Sequence, residues 1–246
     1  MKSSACALLV ALCCAGALPA VCAAPARATE TGSGQPAGEV RTVAEFQAIA
    51  LAGSIDLLVR QGGPPSVRVE AEADLLPLIE TVVETRQSES TLVVRWKRGD
   101  AYRGRGGVRV TVVVPRLSAV AAAGSGDVTL ESLNTPALKL VLSGSGGLRF
   151  SGLVTDDLSL RLSGSGDAKG SGKARRLAIR IAGSGSVKMP DLSADEVSIG
   201  IAGSGDAEVN AQQTLDVSVA GSGSVVYSGN AAVKASMAGS GSIRRK

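Results

Sequence analysis

Leu158-Ser159-Leu160-Arg161-Leu162-Ser163-Gly164-Ser165-Gly166-Asp167-Ala168-Lys169 holds the pattern that decides the fold. Leu158, Leu160 and Leu162 share one parity and Ser159, Arg161 and Ser163 the other, which is the period-two signature of a strand with one buried face. Gly164-Ser165-Gly166 then interrupts the run. The triplet recurs with its first glycine at 124, 144, 164, 183, 203, 221 and 239, at spacings of 20, 20, 19, 20, 18 and 18. A flexible Gly/Ser linker carries no such period. Counting back six, four and two residues gives Leu138, Leu140, Leu142; Leu177, Ile179, Ile181; Val197, Ile199, Ile201; and Leu215, Val217, Val219. Past the triplet the apolar parity continues through Val128, Leu148, Val187, Val225 and Ile243, with Asp127, Arg149, Asp167, Lys169, Lys188 and Asp206 on the outward parity. Each copy is therefore two short strands joined at a glycine bend. One copy cannot bury its own apolar face, but stacked copies bury a continuous one. The spacing predicts an all-β parallel solenoid of about seven Gly-Ser-Gly rungs over 117–246, with successive strands about 4.8 Å apart.

Outward from the repeat, residues 40–116 read as strands without the triplet period, such as Ile55-Asp56-Leu57-Leu58-Val59, Val67-Arg68-Val69 and Thr91-Leu92-Val93-Val94. They are expected to be an irregular β part of the same domain, forming first rungs or a sheet over the solenoid's open end, since an exposed edge recruits other chains. A short helical turn is expected near 73–79, limited by Pro77. Residues 24–39 are small and polar and are expected to be a disordered leader. Residues 1–23 read as a signal peptide: Lys2, an apolar run from Ala5 to Ala17, then small residues. Cleavage after Ala23 or after Ala28 fits, with Ala23 favoured. Val21 precedes Cys22 where a lipobox wants Gly, Ala or Ser, which disfavours lipidation. The four cysteines all lie in the signal, so no disulfide framework is expected. No later segment is long and apolar enough for a transmembrane helix. The expected location is the periplasm, the cell surface or the extracellular space.

A net charge of +4 does not call for nucleic acid as a partner. The sequence has no His, and no Cys after processing, so Ser-His and Cys-His nucleophile systems and ordinary zinc sites are excluded. No cofactor is implied. An enzyme is the alternative reading, a polysaccharide-active β-helix using Asp127, Asp167 and Asp206. These share one register on alternate copies, about 10 Å apart. Paired glycosidase carboxylates need about 5–9.5 Å, so the alternation reads as a way of keeping like charges apart. Positive charge and aromatics cluster only at Arg95, Trp96, Arg98, Tyr102, Arg103 and Arg105, a candidate loop for an anionic glycan or lipid headgroup. A solvated hairpin loop is the other reading of that segment. Ser125, Ser145, Ser165, Ser184, Ser204, Ser222 and Ser240 form with their small neighbours a smooth strip, the candidate contact of a homo-oligomer.

Phe46, Gly53-Ser54-Ile55-Asp56, Gln61-Gly62, Val67-Arg68-Val69-Glu70-Ala71, Leu75-Leu76-Pro77, Val112-Val113-Val114-Pro115, the Gly-Ser-Gly-Asp copies and Val225-Val226-Tyr227-Ser228-Gly229-Asn230 follow in order. As an ordered set they closely resemble the head GIN domain family, described as adhesin heads of the autotransporter type. The resemblance implies a right-handed β-helical fold, export, a trimeric assembly and a role in adhesion or envelope architecture. It implies no catalytic residue. The sequence thus reads as a non-enzymatic, exported binding or structural module.

Overall fold

The computed structural model describes residues 35–86, 89–97 and 107–246. Among the described residues seventeen strands form one hydrogen-bonded sheet wound into a solenoid, with a single 3-10 turn at Leu76–Leu78. The helical turn expected near 73–79 is this one, shortened by Pro77.

The repeat folds as its period requires. Strands β10 (Asn134–Gly144), β11 (Gly147–Gly164), β12 (Asp167–Gly183), β13 (Ser186–Gly203) and β14 (Asp206–Gly221) bend at the triplets and pair in parallel, each on its counterpart one copy along. Leu140, Leu160, Ile179, Ile199 and Val217 fall in one interior column, each at most 2% exposed. The strands β15 (Ser224–Ser228), β16 (Ala232–Gly239) and β17 (Ser242–Arg245) complete the stack. The seven triplets close about six turns, near the seven rungs expected.

Chain order and rung order part company before the repeat. β2 (Ala48–Ala52) and β3 (Ile55–Gln61) make a rung around Gly53-Ser54. On one side of it lie β8 (Ala119–Gly124) and β9 (Val128–Glu131), and on the other β6 (Glu89–Trp96) and β7 (Val108–Val114), all parallel to it. Residues 48–61 are thus sandwiched between strands that follow them in sequence, and the interior column extends as Leu92, Ile49, Val120, Leu140. Three antiparallel strands close this end: β5 (Ile79–Arg86) on β6, β4 (Ser66–Glu72) on β7, and β1 (Pro36–Arg41) on β4. The N-terminal part therefore supplies both first rungs and a covering sheet. Pro36 to Glu39, expected in a disordered leader, belong to β1. Most of the strand is exposed and it holds to β4 through backbone pairing, which leaves no hydropathy signal. Arg41 fastens the cap by donating from Nη2 to the Leu76 carbonyl (2.7 Å) and from Nη1 to Thr81 Oγ1 (3.2 Å).

At the other end β16 has no rung beyond it among the described residues, and its inward-parity Val233 and Met237 are exposed. Arg245 donates to the Gly229 carbonyl and Lys246 Nζ pairs with Glu208, so two of the three terminal cations fold back along the rod.

Thin layers make the core sensitive to single atoms. Gly170 sits over Phe150 in an inward column, and a Cβ there would lie 2.0 Å from the ring. The bare backbone of one rung accommodates the aromatic ring of the next. Leu160→Ala is expected to lower stability by about 2–5 kcal/mol, and Gly170→Ala by about 1–3 kcal/mol through overpacking. Urea unfolding monitored by circular dichroism reads both.

Candidate functional site

Each corner is built from two kinds of glycine. The first of every triplet has a positive φ, from +117° at Gly164 to +140° at Gly124, a region L side chains rarely adopt. It is also packed on backbone: a Cβ on Gly144 would lie 2.2 Å from the Gly124 carbonyl oxygen. The second glycine has the same steric limit, since a Cβ on Gly146 would lie 2.2 Å from the Gly126 oxygen. Between them the serine N–H donates to the first-glycine carbonyl one rung back, as Ser165 to Gly144 and Ser204 to Gly183, both 3.0 Å. The serine side chains, Ser125 through Ser240, stand exposed in one column along the corner. Ser54 extends that column, its Oγ 2.8 Å from Ser125 Oγ.

Two of the three aspartates that follow the triplets, Asp127 and Asp206, serve the backbone, whereas Asp167 stands exposed and the Ser186 N–H one rung along donates to the Gly166 carbonyl (3.3 Å) instead. Asp127 Oδ1 accepts the Gly147 N–H (2.9 Å) and Asp206 Oδ1 accepts the Ser224 N–H (2.9 Å), each satisfying an amide of the next rung just past the bend. Asp56 does the same for the Asp127 N–H (3.0 Å). Sequence reasoning missed Asp56 as a member of this column, although Gly53-Ser54-Ile55-Asp56 carries the register of a triplet copy. Its place directly before Asp127 also corrects the charge-spacing account of the alternation: two acids do stack on adjacent rungs. They are tolerated because Asp56 takes the amide of Asp127 and is in register with Arg109 on its other side, while Arg149 Nη1 binds Asp127 Oδ2 at 3.0 Å. The Arg149 hydrogen bond, with help from the Gly147 N–H and the guanidinium charge, holds the Asp127 carboxyl below the usual aspartate range against a smaller effect of burial. Asp157 is lowered in the same way by Arg176.

Of the basic loop, Arg98, Tyr102, Arg103 and Arg105 lie outside the described residues. Arg95 pairs with Glu80 at 2.8 Å and Glu84 at 3.5 Å. Trp96 packs against the core beneath the Gly53 corner, where a Cβ on Gly53 would lie 2.8 Å from the indole. These two residues thus have structural work at the capped end.

A different cationic feature stands on the face before the corner. Its outward side chains are mostly Ala and Ser, but Arg161 lies directly beside Arg180 on adjacent rungs, followed in the same column by Gly200 and Ser218. Around Gly200 this face holds a shallow depression of about 640 Å³, bordered by the two arginines and by Asp216.

Comparison with known proteins gives a match over residues 45–231 to the family described as "Putative auto-transporter adhesin, head GIN domain". The crystal structure of a protein called a putative adhesin, from Bacteroides fragilis, superposes with a TM-score of 0.81 at 25% identity, covering 88% of this chain and 100% of that one. One called a putative lipid binding protein, from Parabacteroides distasonis, gives a TM-score of 0.73 at 25% identity over 89% of this chain and 100% of that one. A third, called a putative adhesin from Parabacteroides merdae, shares the fold with a TM-score of 0.65 at 21% identity over 89% and 99%. No curated protein matches the chain.

The lowered Asp127 value has a consequence in acid. The pair with Arg149 contributes fully above the unfolded aspartate pKa of about 3.9 and is lost as pH falls through the lower folded value. Asp127→Asn keeps an acceptor for the Gly147 N–H but carries no charge. Its melting temperature is expected to fall less steeply than wild type below about pH 4, as read by thermal unfolding across an acid series.

Proposed function

Because the chain belongs to the head GIN domain family, we propose that it is an exported, non-catalytic binding module of the cell envelope, adhesin-like in use. The observation that carries this reading is what the repeat does with its carboxylates. Asp56, Asp127 and Asp206 are spent on backbone amides, Asp167 stands between Gly147 and Ser186 with no acid beside it on either adjacent rung, and among the described residues the two acids with displaced pKa values, Asp127 and Asp157, are displaced downward. A glycosidase general acid needs the opposite displacement. What the rod offers instead is long, regular outward faces held rigid by a continuous core. The relative from Bacteroides fragilis, called a putative adhesin, supports the same use. Export, to the periplasm, the cell surface or the extracellular space, is supported by Lys2 and the apolar run from Ala5 to Ala17. We also propose self-association through the exposed serine column, as a trimer.

Both proposals are open to direct test. Purified protein is exposed to peptidoglycan, lipopolysaccharide, neutral glycans and acidic polysaccharides, with retention and product release measured together. Retention without turnover is expected. Cleavage abolished by Asp167→Asn would instead establish the enzyme. For assembly, light scattering should give an oligomer that Ser184→Arg dissociates while circular dichroism stays unchanged. A wild-type monomer across the micromolar range removes the serine column as an interface.

A further inference from the structure

Positive charge is concentrated in the middle of the rod. Residues 137–188 hold nine Lys and Arg against three Asp, an excess larger than that of the whole chain. Three of the nine are paired, Arg149 with Asp127, Arg175 with Asp156 and Arg176 with Asp157. Among the described residues the other six are not, and Arg161 and Arg180 are the arginines among them: neither guanidinium meets an acid, and both are exposed. Their register puts them side by side, one rung or about 4.8 Å apart. Like charges directly opposite one another on a sheet are destabilising. Lys169 and Lys188 stack likewise but are followed in their column by Glu208, whereas Arg161 and Arg180 are followed by Gly200 and Ser218 and have no acid in register.

Gly200, next in the column, is equally unexplained by the fold. Its φ is not positive, and a Cβ there would meet nothing within 4 Å. It differs in this from the corner glycines and from Gly170, which are held to glycine by contact. Glycine weakens a strand interior and often marks a bulge, a tight bend or a close approach by another molecule; the register runs unbroken through Gly200, which points to the last. Arg161, Arg180, Gly200 and Ser218 thus run down one column, along a depression whose floor is made of small side chains.

We propose that this column binds an acidic polysaccharide, with carboxylate or sulfate groups on Arg161 and Arg180 and the chain lying along the rod over Gly200. Guanidinium forks suit planar oxyanions in bidentate geometry. Ser198 and Ser218, both exposed and lining the depression, offer hydroxyls to sugar hydroxyls beside the gap that Gly200 leaves. A membrane surface fits less well, because the exposed large apolar side chains, Val40, Val82, Val154, Val233 and Met237, lie away from this depression. A second copy laid on this face would set like-charged arginine pairs against each other. The proposal rests on the binding-module reading above and names the ligand class and the surface for it.

The full chain is titrated with polygalacturonate by isothermal calorimetry at low and raised salt, and floated with phosphatidylglycerol vesicles in parallel. Saturable binding to the polysaccharide that weakens with salt is expected. Arg161→Ser/Arg180→Ser should weaken it at least about tenfold, the scale of a lost charged hydrogen bond. Lys173→Ser/Lys188→Ser, the same change in net charge on other faces, should stay within about twofold of wild type, far short of the tenfold step. Gly200→Val changes no charge and should melt at or above wild type, yet lose affinity by filling the gap. Equal losses in the two double variants, or full affinity in Gly200→Val, overturn the site. Binding to vesicles but not to polygalacturonate overturns the ligand class. Retention on neutral envelope glycans alone defeats this inference and leaves the binding module standing, whereas retention on nothing defeats both.

Discussion

The hydrogen bond from the corner serine N–H to the first-glycine carbonyl one rung back, made from Ser145 through Ser240, is the contact on which the other contacts hang. It brings backbone so close to backbone that the next glycine has no space for a β-carbon: 2.2 Å at Gly144 and 2.4 Å at Gly164, each against that same carbonyl oxygen. Because both strands of a rung leave from the corner, its position sets the register on either side. Leu160 then meets Ile179 inside, and Arg161 meets Arg180 outside. A slip of one residue would send the whole apolar parity to solvent. The seven triplets are therefore less a flexible motif than a set of pins, and the Leu, Ile and Val columns are buried because the pins hold them in phase.

Past the bend the ladder needs a second device, and aspartate supplies it at several rungs. Where Asp127 or Asp206 stands, its carboxylate accepts the amide that follows the bend on the next rung. At other rungs a glycine carbonyl does this instead, as from Ser186 to Gly166 (3.3 Å) and from Asp206 to Gly185 (3.2 Å). The two solutions are interchangeable for the backbone, so the ladder does not need an acid at every rung, and at Asp167 the glycine carbonyl takes the amide although an acid is present. It also shows why recurring carboxylates on a solenoid need not be catalytic: an unsatisfied amide at a tight corner is reason enough to keep them.

The two ends of the rod are treated differently. The N-terminal end is closed by β5, β4 and β1, whose antiparallel pairing blocks further parallel stacking. Their hold on the core comes from Val67, Val69 and Ile79, all buried. Between the ends the outward faces are free of structural duty wherever a side chain makes no contact. The unpaired Arg161 and Arg180 therefore stand out against Arg149, Arg175 and Arg176, which answer to acids within the chain.

The sequence by itself determined the solenoid, its rung length, the interior columns and the serine column, because period-two alternation and a fixed triplet are local properties that survive without any knowledge of neighbours. It also determined what chemistry is unavailable, since a chain with no His cannot build a His-dependent site. Tertiary structure alone decided that residues 48–61 lie between later strands, that Asp56 belongs beside Asp127, that Pro36 to Glu39 are a strand, and that Trp96 packs under Gly53. Each of these is a contact between segments far apart in the chain or with no periodic copy, so nothing local announces it. The arginine pair and Gly200 fall between the two cases. Their parity was readable in sequence, but that the guanidiniums are uncompensated and the glycine sterically unnecessary depends on what does not reach them, which only the assembled surface decides.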